Sequence, residues 1–433
     1  MKLGLSPLSA VVLAAFVVGG CAGKPTGVLI PFSEPVAGTD TVDILVATTR
    51  DPDTAEPGMM FSGARATRPG FADIAVSIPR DRKIGEVQWP KRMPPDPQTD
   101  FVTIRADRID EDMAVRTFNE RLSASKSKQV LVFVHGYNNR FEDAVYRFAQ
   151  IVHDSGADVV PVLFTWPSAG RLVAYTYDRE SANYSRDALE RMLTLMATDG
   201  QVNQISILAH SMGNWLTLET LRQMAIRNGH IDPKITDVML AAPDVDVDVF
   251  RTQVAVFHDP KPRFTLFVSR NDKALAVSKR IWGSSARLGA IDPNQEPYHE
   301  QLRADGITVV DLTGEKTEDR THHATFAESP ESVKLIGAQL SGGQDLSTFE
   351  VTASDRVGQI VTSTGTSIGA AASMVVTAPM AIVDPRARDS YQQQADQFNA
   401  SVNETLSSTG GLVSVDGSSE PRNPDEEVPA ADH

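Results

Sequence analysis

The sequence predicts an α/β fold in which a mostly parallel sheet is flanked by helices. Several apolar runs of strand length lack the alternation of a half-exposed strand, as expected for parallel strands buried on both faces. They cover residues 130–134, 159–164, 205–208, 238–242, 264–268 and 307–312. Amphipathic stretches with helical spacing, such as 145–152 and 189–196, lie between these runs. Strands that alternate with helices favour a parallel sheet covered on both sides.

Three earlier strands are expected before this alternation begins. They cover residues 41–48, 72–79 and 102–104, and we expect an antiparallel arrangement for them. Together with the alternating segments they define one predicted domain, residues 41–341.

The strand at 205–208 leads directly into Ala209-His210-Ser211-Met212-Gly213. A strand that ends in a serine and turns at once into a helix is typical of a nucleophile elbow, whose strained turn exposes the hydroxyl. Small residues must flank the serine because the strand and helix backbones nearly touch there. Gly213 meets this need, and Ala209 replaces the more usual glycine. The pattern predicts Ser211 as a nucleophile.

An oxyanion hole is expected from two main-chain N–H groups. In serine hydrolases of this type, one comes from the loop after an earlier strand and the other from the residue after the nucleophile. The strand at 130–134 ends in His135-Gly136-Tyr137-Asn138-Asn139. Tyr137 and Met212 are therefore the candidate donors.

A catalytic acid and base are expected downstream, in the order serine, aspartate, histidine. Asp272 follows the strand at 264–268, and the adjacent His322 and His323 follow the last strand. One of the two histidines is expected to take the serine proton. Three other aspartates, which follow the strand at 238–242, are alternatives for the acid: Asp244, Asp246 and Asp248. Their alternation mimics a calcium-binding loop but lacks its glycine and glutamate.

Composition excludes several other functions. The 433 residues carry a net charge of −15, which disfavours binding to nucleic acid. Phosphate loops, dinucleotide fingerprints and zinc-binding HExxH helices are missing from the sequence. We therefore expect no cofactor and no metal.

The single cysteine, Cys21, predicts a lipid anchor. It follows a charged start, an apolar stretch at 10–18 and two glycines, which is the pattern of a secretory signal peptide. Val18-Gly19-Gly20-Cys21 resembles a bacterial lipobox, in which the cysteine carries the lipid. We expect a signal peptide at 1–20, a tether at 21–40 and an outer-membrane location facing the periplasm.

The C-terminal part differs in composition. Residues 342–406 are rich in small residues, and 357–383 contain no charged residue but are too polar for a clear membrane span. We expect a helical extension here, followed by a disordered tail at 407–433.

Several motifs in order resemble one family, the bacterial α/β-hydrolases of unknown specificity that are often secreted or lipid-anchored. The matching segments are Ala47-Thr48-Thr49-Arg50, Val76-Ser77-Ile78-Pro79, Phe133-Val134-His135-Gly136-Tyr137-Asn138, Trp166-Pro167-Ser168, Ala209-His210-Ser211-Met212-Gly213, Ala242-Pro243-Asp244, Asn271-Asp272 and His323-Ala324-Thr325-Phe326. The resemblance covers about residues 42–340. It implies an α/β-hydrolase fold and a Ser211–Asp272–His323 triad, and it favours His323 over His322.

The expected function is that of a lipid-anchored serine hydrolase that acts on carboxylic esters. Its expected partners are a lipid or small-molecule ester substrate and the membrane, through Cys21, with no nucleic acid. The alternatives are an acyltransferase or thioesterase with the same triad and a non-catalytic envelope scaffold.

Overall fold

A computed structural model describes residues 25–34, 36–282, 286–342 and 360–361. The strands are β1 (Thr39–Pro52), β2 (Phe61–Pro79), β3 (Val102–Ile109), β4 (Gln129–Val134), β5 (Val160–Thr165), β6 (Gln204–His210), β7 (Ile235–Ala241), β8 (Arg263–Val268), β9 (Thr308–Asp311) and β10 (Ile360–Val361). The helices are α1 (Glu111–Ala124), α2 (Phe141–Ser155), α3 (Tyr175–Thr198), α4 (Met212–Asn228), α5 (Val247–Val254), α6 (Lys273–Trp282), α7 (Tyr298–Ala304), α8 (Thr325–Glu328) and α9 (Pro330–Gly342).

The described strands form one sheet in the order β10-β9-β8-β7-β6-β4-β5-β1-β2-β3. The seven strands from β9 to β1 are parallel to their neighbours. Strands β1, β2 and β3 pair antiparallel, as the sequence predicts. The predicted α/β class is confirmed. Because β1 is also parallel to β5, its C-terminal end lies at the same edge of the sheet as the ends of the central strands.

The chain reverses its direction across the sheet around β4. It passes from β4 to β5 on one side and then crosses back to β6 on the other. Because crossovers between parallel strands are right-handed, this reversal places α2 on one face and α3 and α4 on the other. The connections that leave the carboxyl ends of β4 and β6 therefore run to opposite faces of the sheet. Ligands of open α/β sheets bind at such a point.

The core lies between the central strands and α2. Strand β4 is apolar along its length because both of its faces are covered, and residues 130–134 are at most 1 % exposed. Phe133 stacks on Phe148 of α2 with ring centroids 5.3 Å apart. This packing fixes the start of the loop that follows β4.

The segment expected as an N-terminal tether packs, in part, on the domain. Val28 and Leu29 are buried, and the carbonyl oxygen of Val28 accepts hydrogen bonds from the hydroxyls of Thr103 and Tyr146. The main-chain N–H of Phe32 donates to the carbonyl of Thr103. Proline and glycine content suggested a free linker, but the apolar pair finds a partner surface beside β3.

The other terminal predictions lie almost entirely outside the described residues. This holds for the signal peptide, for Cys21 and for the disordered tail. Of residues 342–406, the structure describes Gly342 at the end of α9 and the short strand β10, which pairs antiparallel with β9. Among the helices described here, none is both long and apolar enough to cross a bilayer.

Candidate active site

Ser211 occupies the sharp turn between β6 and α4. Its φ of 54° and ψ of −121° are unusual for a residue with a side chain, so the turn is strained. Its N–H donates to the carbonyl of Ala241 at 3.0 Å, and its own carbonyl accepts from the N–H groups of Asn214 and Asp244. The side-chain amide of Asn214 donates to the carbonyls of both Ser211 and Ala241. These bonds hold the backbone conformation that the sequence motif predicts.

Two glycines allow the elbow to approach β4. A Cβ atom on Gly213 would lie 2.4 Å from the carbonyl oxygen of His135 and 2.6 Å from that of Val134. A Cβ atom on Gly136 would lie 2.8 Å from the Cβ of Ser211. All three distances are shorter than real Cβ contacts allow. The residues from 135 to 140, here called the β4 loop, therefore lie directly against Ser211.

His323 lies in the loop from 312 to 324, here called the β9 loop, and contacts Asp272. Its Nδ1 is 2.7 Å from Oδ2 of Asp272, which follows β8 and is buried. The other carboxylate oxygen accepts the N–H of Leu275 in the first turn of α6. Burial alone lowers the pKa of His323, but the carboxylates around it, Asp272 first and then Asp244 and Asp319, outweigh burial and raise the pKa above its usual value.

The alternative acids have other partners. Asp244 accepts hydrogen bonds from the hydroxyls of Tyr175 and Ser278, both at 2.6 Å, and its Oδ1 is 3.5 Å from Nε of Arg287. Asp246 accepts N–H groups at the start of α5, where Asp248 stands in the first turn. Of the four aspartates considered from the sequence, Asp272 is the one that hydrogen-bonds His323.

The elbow and the β9 loop meet at His210. Its ring centroid lies 4.7 Å from that of His323, and its Nε2 is 3.2 Å from the carbonyl oxygen of His323. Because a carbonyl only accepts, Nε2 of His210 carries the proton. Burial and the neighbouring His323 lower the pKa of His210, so this side chain stays neutral. The residue before Ser211 thus contacts the histidine bonded to Asp272.

His322 plays a different part in the β9 loop. It has a φ of 58°, and its main chain donates to the carbonyl of Asp319 and accepts the hydroxyl of Thr325. These contacts shape the turn before α8. The geometry favours His323 over His322 as the base.

Asp319 holds the main chain around His323, and the sequence analysis did not identify it. Its Oδ2 accepts the N–H groups of His323 and Ala324 at 2.7 and 3.0 Å, and its Oδ1 accepts that of Thr321. Burial raises the pKa of Asp319, but the hydrogen bonds that it accepts outweigh burial and hold the pKa below its usual value. An aspartate two residues before a threonine is a turn signal that could have pointed to this residue.

The two candidate oxyanion donors flank Ser211. Met212 is the first residue of α4, so its N–H is one of those that a helix leaves without an internal partner. Tyr137 follows Gly136 in the β4 loop. Within the described part of the chain, neither N–H donates a hydrogen bond to a protein acceptor. By contrast, the N–H groups of residues 138–140 all donate to side chains.

An exposed turn borders this site. Residues 171–184 form a short 3-10 helix and the first turns of α3. Leu172 and Val173 are 75 % and 94 % exposed. The hydroxyl of Tyr137 donates to the carbonyl of Leu172, and the Tyr137 ring packs on Tyr175 with centroids 5.1 Å apart. The turn is thus attached to the β4 loop.

Comparison with known proteins gives three findings. The chain is 26 % identical over 151 residues to the uncharacterized protein alr1448 of Nostoc sp. (strain PCC 7120); the match covers 29 % of this chain and 39 % of that curated relative. The crystal structure of carboxyl esterase 2 from the mycorrhizal fungus Tuber melanosporum aligns with 79 % of this chain and 100 % of its own, at 12 % identity and a TM-score of 0.33. The model of a family described as α/β hydrolases of unknown function (DUF900) matches residues 110–339, more than half of the chain. The resemblance stated from the motifs is thereby confirmed, and the chain belongs to this family of α/β hydrolases.

Proposed function

We propose that this α/β hydrolase cleaves carboxylic esters through a Ser211–His323–Asp272 triad. The observation that carries the proposal is the 2.7 Å contact between Asp272 and His323, placed beside the strained Ser211 elbow through His210. A hydrogen-bonded carboxylate and imidazole close to a serine at a nucleophile elbow is the set of groups that acyl transfer to a hydroxyl requires.

The reaction proceeds through an acyl-enzyme. Oγ of Ser211 attacks the ester carbonyl carbon while its proton passes to Nε2 of His323, the nitrogen that Asp272 leaves free. The resulting oxyanion accepts hydrogen bonds from the main-chain N–H groups of Tyr137 and Met212. When the C–O bond to the alcohol breaks, His323 gives the proton to the leaving oxygen. Water then attacks the acyl-enzyme with His323 again as the base, and the acid is released. No cofactor enters these steps.

Asp272 stabilises the charged intermediate of this cycle. Imidazolium forms at His323 each time the serine or water loses its proton, and the adjacent carboxylate favours that charged form. The same carboxylate fixes the ring with its Nδ1–H toward Asp272. This tautomer keeps Nε2 available as the base.

A lipid anchor at Cys21 is a second part of the proposal. Its support is the sequence pattern alone, and the cysteine lies outside the described residues. Anchoring to the periplasmic face of an outer membrane would bring the site near lipids, acylated polymers and small esters. Metabolic labelling with a radioactive fatty acid should mark the wild-type chain but not Cys21→Ser.

Labelling with a fluorophosphonate probe tests the mechanism. The wild-type protein should be labelled on Ser211, and Ser211→Ala should not be labelled while it unfolds at the wild-type temperature. Ser206→Ala is a matched control, since Ser206 is a buried serine of the same strand and lies five residues away. It should be labelled like the wild type.

Two results would contradict the proposal. A label that persists in Ser211→Ala would show that another residue is the nucleophile. A folded wild-type protein that neither reacts with the probe nor turns over p-nitrophenyl esters of two to sixteen carbons would be a non-catalytic scaffold. Partition of the acyl group between water and an added alcohol distinguishes hydrolysis from transfer.

A further inference from the structure

We infer, on the basis of the proposed serine mechanism, that Arg50 is a positioning residue that sets the direction of the Tyr137 N–H in the oxyanion hole. Arg50 belongs to the Ala47-Thr48-Thr49-Arg50 motif, which the triad does not use. It acts through His135 and the β4 loop and does not touch the triad itself.

Arg50 lies at the C-terminal end of β1, at the same edge of the sheet as Ser211, and it is 1 % exposed. Its Nη1 donates to the carbonyl of Ser168 at 2.9 Å, and its Nη2 donates to the carbonyl of Asn139 at 2.8 Å. The planar guanidinium therefore ties the β4 loop to the loop that follows β5. A lysine ammonium cannot reproduce this fork.

The second contact of Nη2 is with His135, whose Nε2 lies 3.4 Å away. The main-chain N–H of Trp166 also donates to this nitrogen at 3.2 Å, so Nε2 carries no proton. The proton is then on Nδ1, which donates to the carbonyl of Gly136 at 2.8 Å. Burial and the charge of Arg50 lower the pKa of His135 to about 3, so the tautomer is the same at any assay pH.

The Gly136 carbonyl belongs to the same peptide unit as the Tyr137 N–H. In a trans peptide these two groups point in opposite directions. The carbonyl is held by His135 and also by the side-chain amide of Asn139, at 3.2 Å. Fixing the carbonyl therefore fixes the direction of the N–H. Because Gly136 packs against Ser211, this direction decides whether the N–H meets the developing oxyanion.

A buried carboxylate completes the frame around the β4 loop. Asp178 is fully buried, and its two oxygens accept the N–H groups of Asn138 and Ala169 and the hydroxyl of Ser168. Asn138 has a φ of 58°, a conformation that needs such support. Asp178 and Arg50 thus anchor neighbouring peptides of one loop from two sides.

Arg50→Lys tests the inference, with Arg82→Lys as the matched control. The Arg82 side chain is 3 % exposed, and burial lowers the pKa of both Arg50 and Arg82 to about 10. The partners of Arg82 are Asp154, His153 and the carbonyls of Lys83 and Glu86. These partners lie at the other end of α2. Arg50→Gln is the second variant, since it keeps two donors and removes the charge.

Two readouts separate positioning from general stability. In Arg50→Lys, kcat for an ester should fall by about 100-fold, near the loss for one oxyanion donor, and a trifluoromethyl ketone should bind more weakly by the same factor. The KM should change by less than about threefold. In Arg82→Lys the melting temperature should fall while kcat and ketone affinity stay at wild-type values.

A third readout does not depend on turnover. Selective ¹⁵N labelling should show that Arg50→Lys shifts the Tyr137 amide and the His135 ring nitrogens. Unchanged shifts in both Arg50 variants, or a kcat that falls no more than in Arg82→Lys, would overturn the inference. A wild-type protein without Ser211-dependent labelling would instead overturn the proposed function, and the ¹⁵N shifts would still decide the role of Arg50.

Discussion

The β4 loop, which packs on Ser211, and the β9 loop, which packs on the neighbouring His210, are held in different ways. The β4 loop is bound by buried groups, above all Arg50 and Asp178, and its histidine, His135, is 1 % exposed. The β9 loop is partly exposed, and the His323 side chain is 18 % exposed. Burial with the Arg50 charge lowers the pKa of His135 to about 3, whereas Asp272 raises that of His323. One histidine is locked neutral, and the other is prepared to take a proton.

The difference follows from what each loop has to do. Main-chain donors stabilise an oxyanion best when they are already in place, because no reorganisation is then needed during the reaction. A general base must become charged twice per turnover, once in acylation and once in deacylation, so a site that permanently excludes charge would disable it. Rigid burial suits the first task, and a histidine in a partly exposed loop, paired with a buried carboxylate, suits the second.

Replacement of the tandem histidines should give the largest contrast. His323→Gln should lower kcat/KM by about 10⁴- to 10⁶-fold, because the base is lost while the fold remains. His322→Asn should stay within about threefold of the wild type, since asparagine tolerates the positive φ at this position. Steady-state kinetics on one ester measures both. Equal losses in the two variants would mean that the loop, and not one imidazole, is required.

Replacement of the proposed catalytic acid should give the second largest effect. Asp272→Asn should lower kcat by about 10⁴-fold, because the imidazole loses the partner that fixes its tautomer. Asp244→Asn keeps hydrogen-bonding capacity toward Tyr175 and Ser278 and should lower kcat by less than about tenfold. If the two losses are reversed, Asp244 is the acid.

The pH profile gives a second check on Asp272. The base works only when His323 is unprotonated, so the rate should rise with pH through the raised pKa, above the usual value of about 6.5. Asp272→Asn removes the attraction for the proton and should move this limb to lower pH. If the rising limb of the pH–rate profile stays at the same pH in Asp272→Asn, a group other than His323 controls it.

Asp319 should have a smaller effect, because it acts on the position of His323 through the backbone. Asp319→Asn replaces an oxygen that accepts the N–H groups of His323 and Ala324, and kcat should fall by about tenfold. Asp232→Asn is the control, since Asp232 accepts a loop N–H in the same way before β7. Unchanged kcat in Asp319→Asn would mean that Asp272 alone orients the histidine.

The last prediction concerns stability, and it tests the packing of the elbow on β4. Gly213→Ala places a methyl group against the carbonyls of Val134 and His135 and should lower the free energy of unfolding by about 1–3 kcal/mol. Gly200→Ala, with open space around its Cβ, should change it by less than about 0.5 kcal/mol. Urea denaturation measures both. A neutral Gly213→Ala would show that the two backbones can separate without cost.

The sequence by itself determined the features that depend on neighbouring residues. Local spacing predicts the elbow at Ser211, the apolar parallel strands and the order of the motifs. This is possible because turn geometry and strand burial depend on consecutive residues. The sequence predicts a tether at 21–40 for the same reason. Its proline and glycine pattern is local, but the surface that buries Val28 is distant in sequence.

Only the tertiary structure decided which polar groups became partners. Asp244 and Asp272 both follow strands of the sheet, and only the motif resemblance favours Asp272 in the sequence; the structure adds their partners, such as Tyr175, which donates to Asp244 from 69 residues away. Arg50 and His135 are 85 residues apart, and no local pattern joins them. Buried charges and hydrogen bonds act between groups that meet only when the sheet has formed, so their pairing becomes visible only in the folded chain.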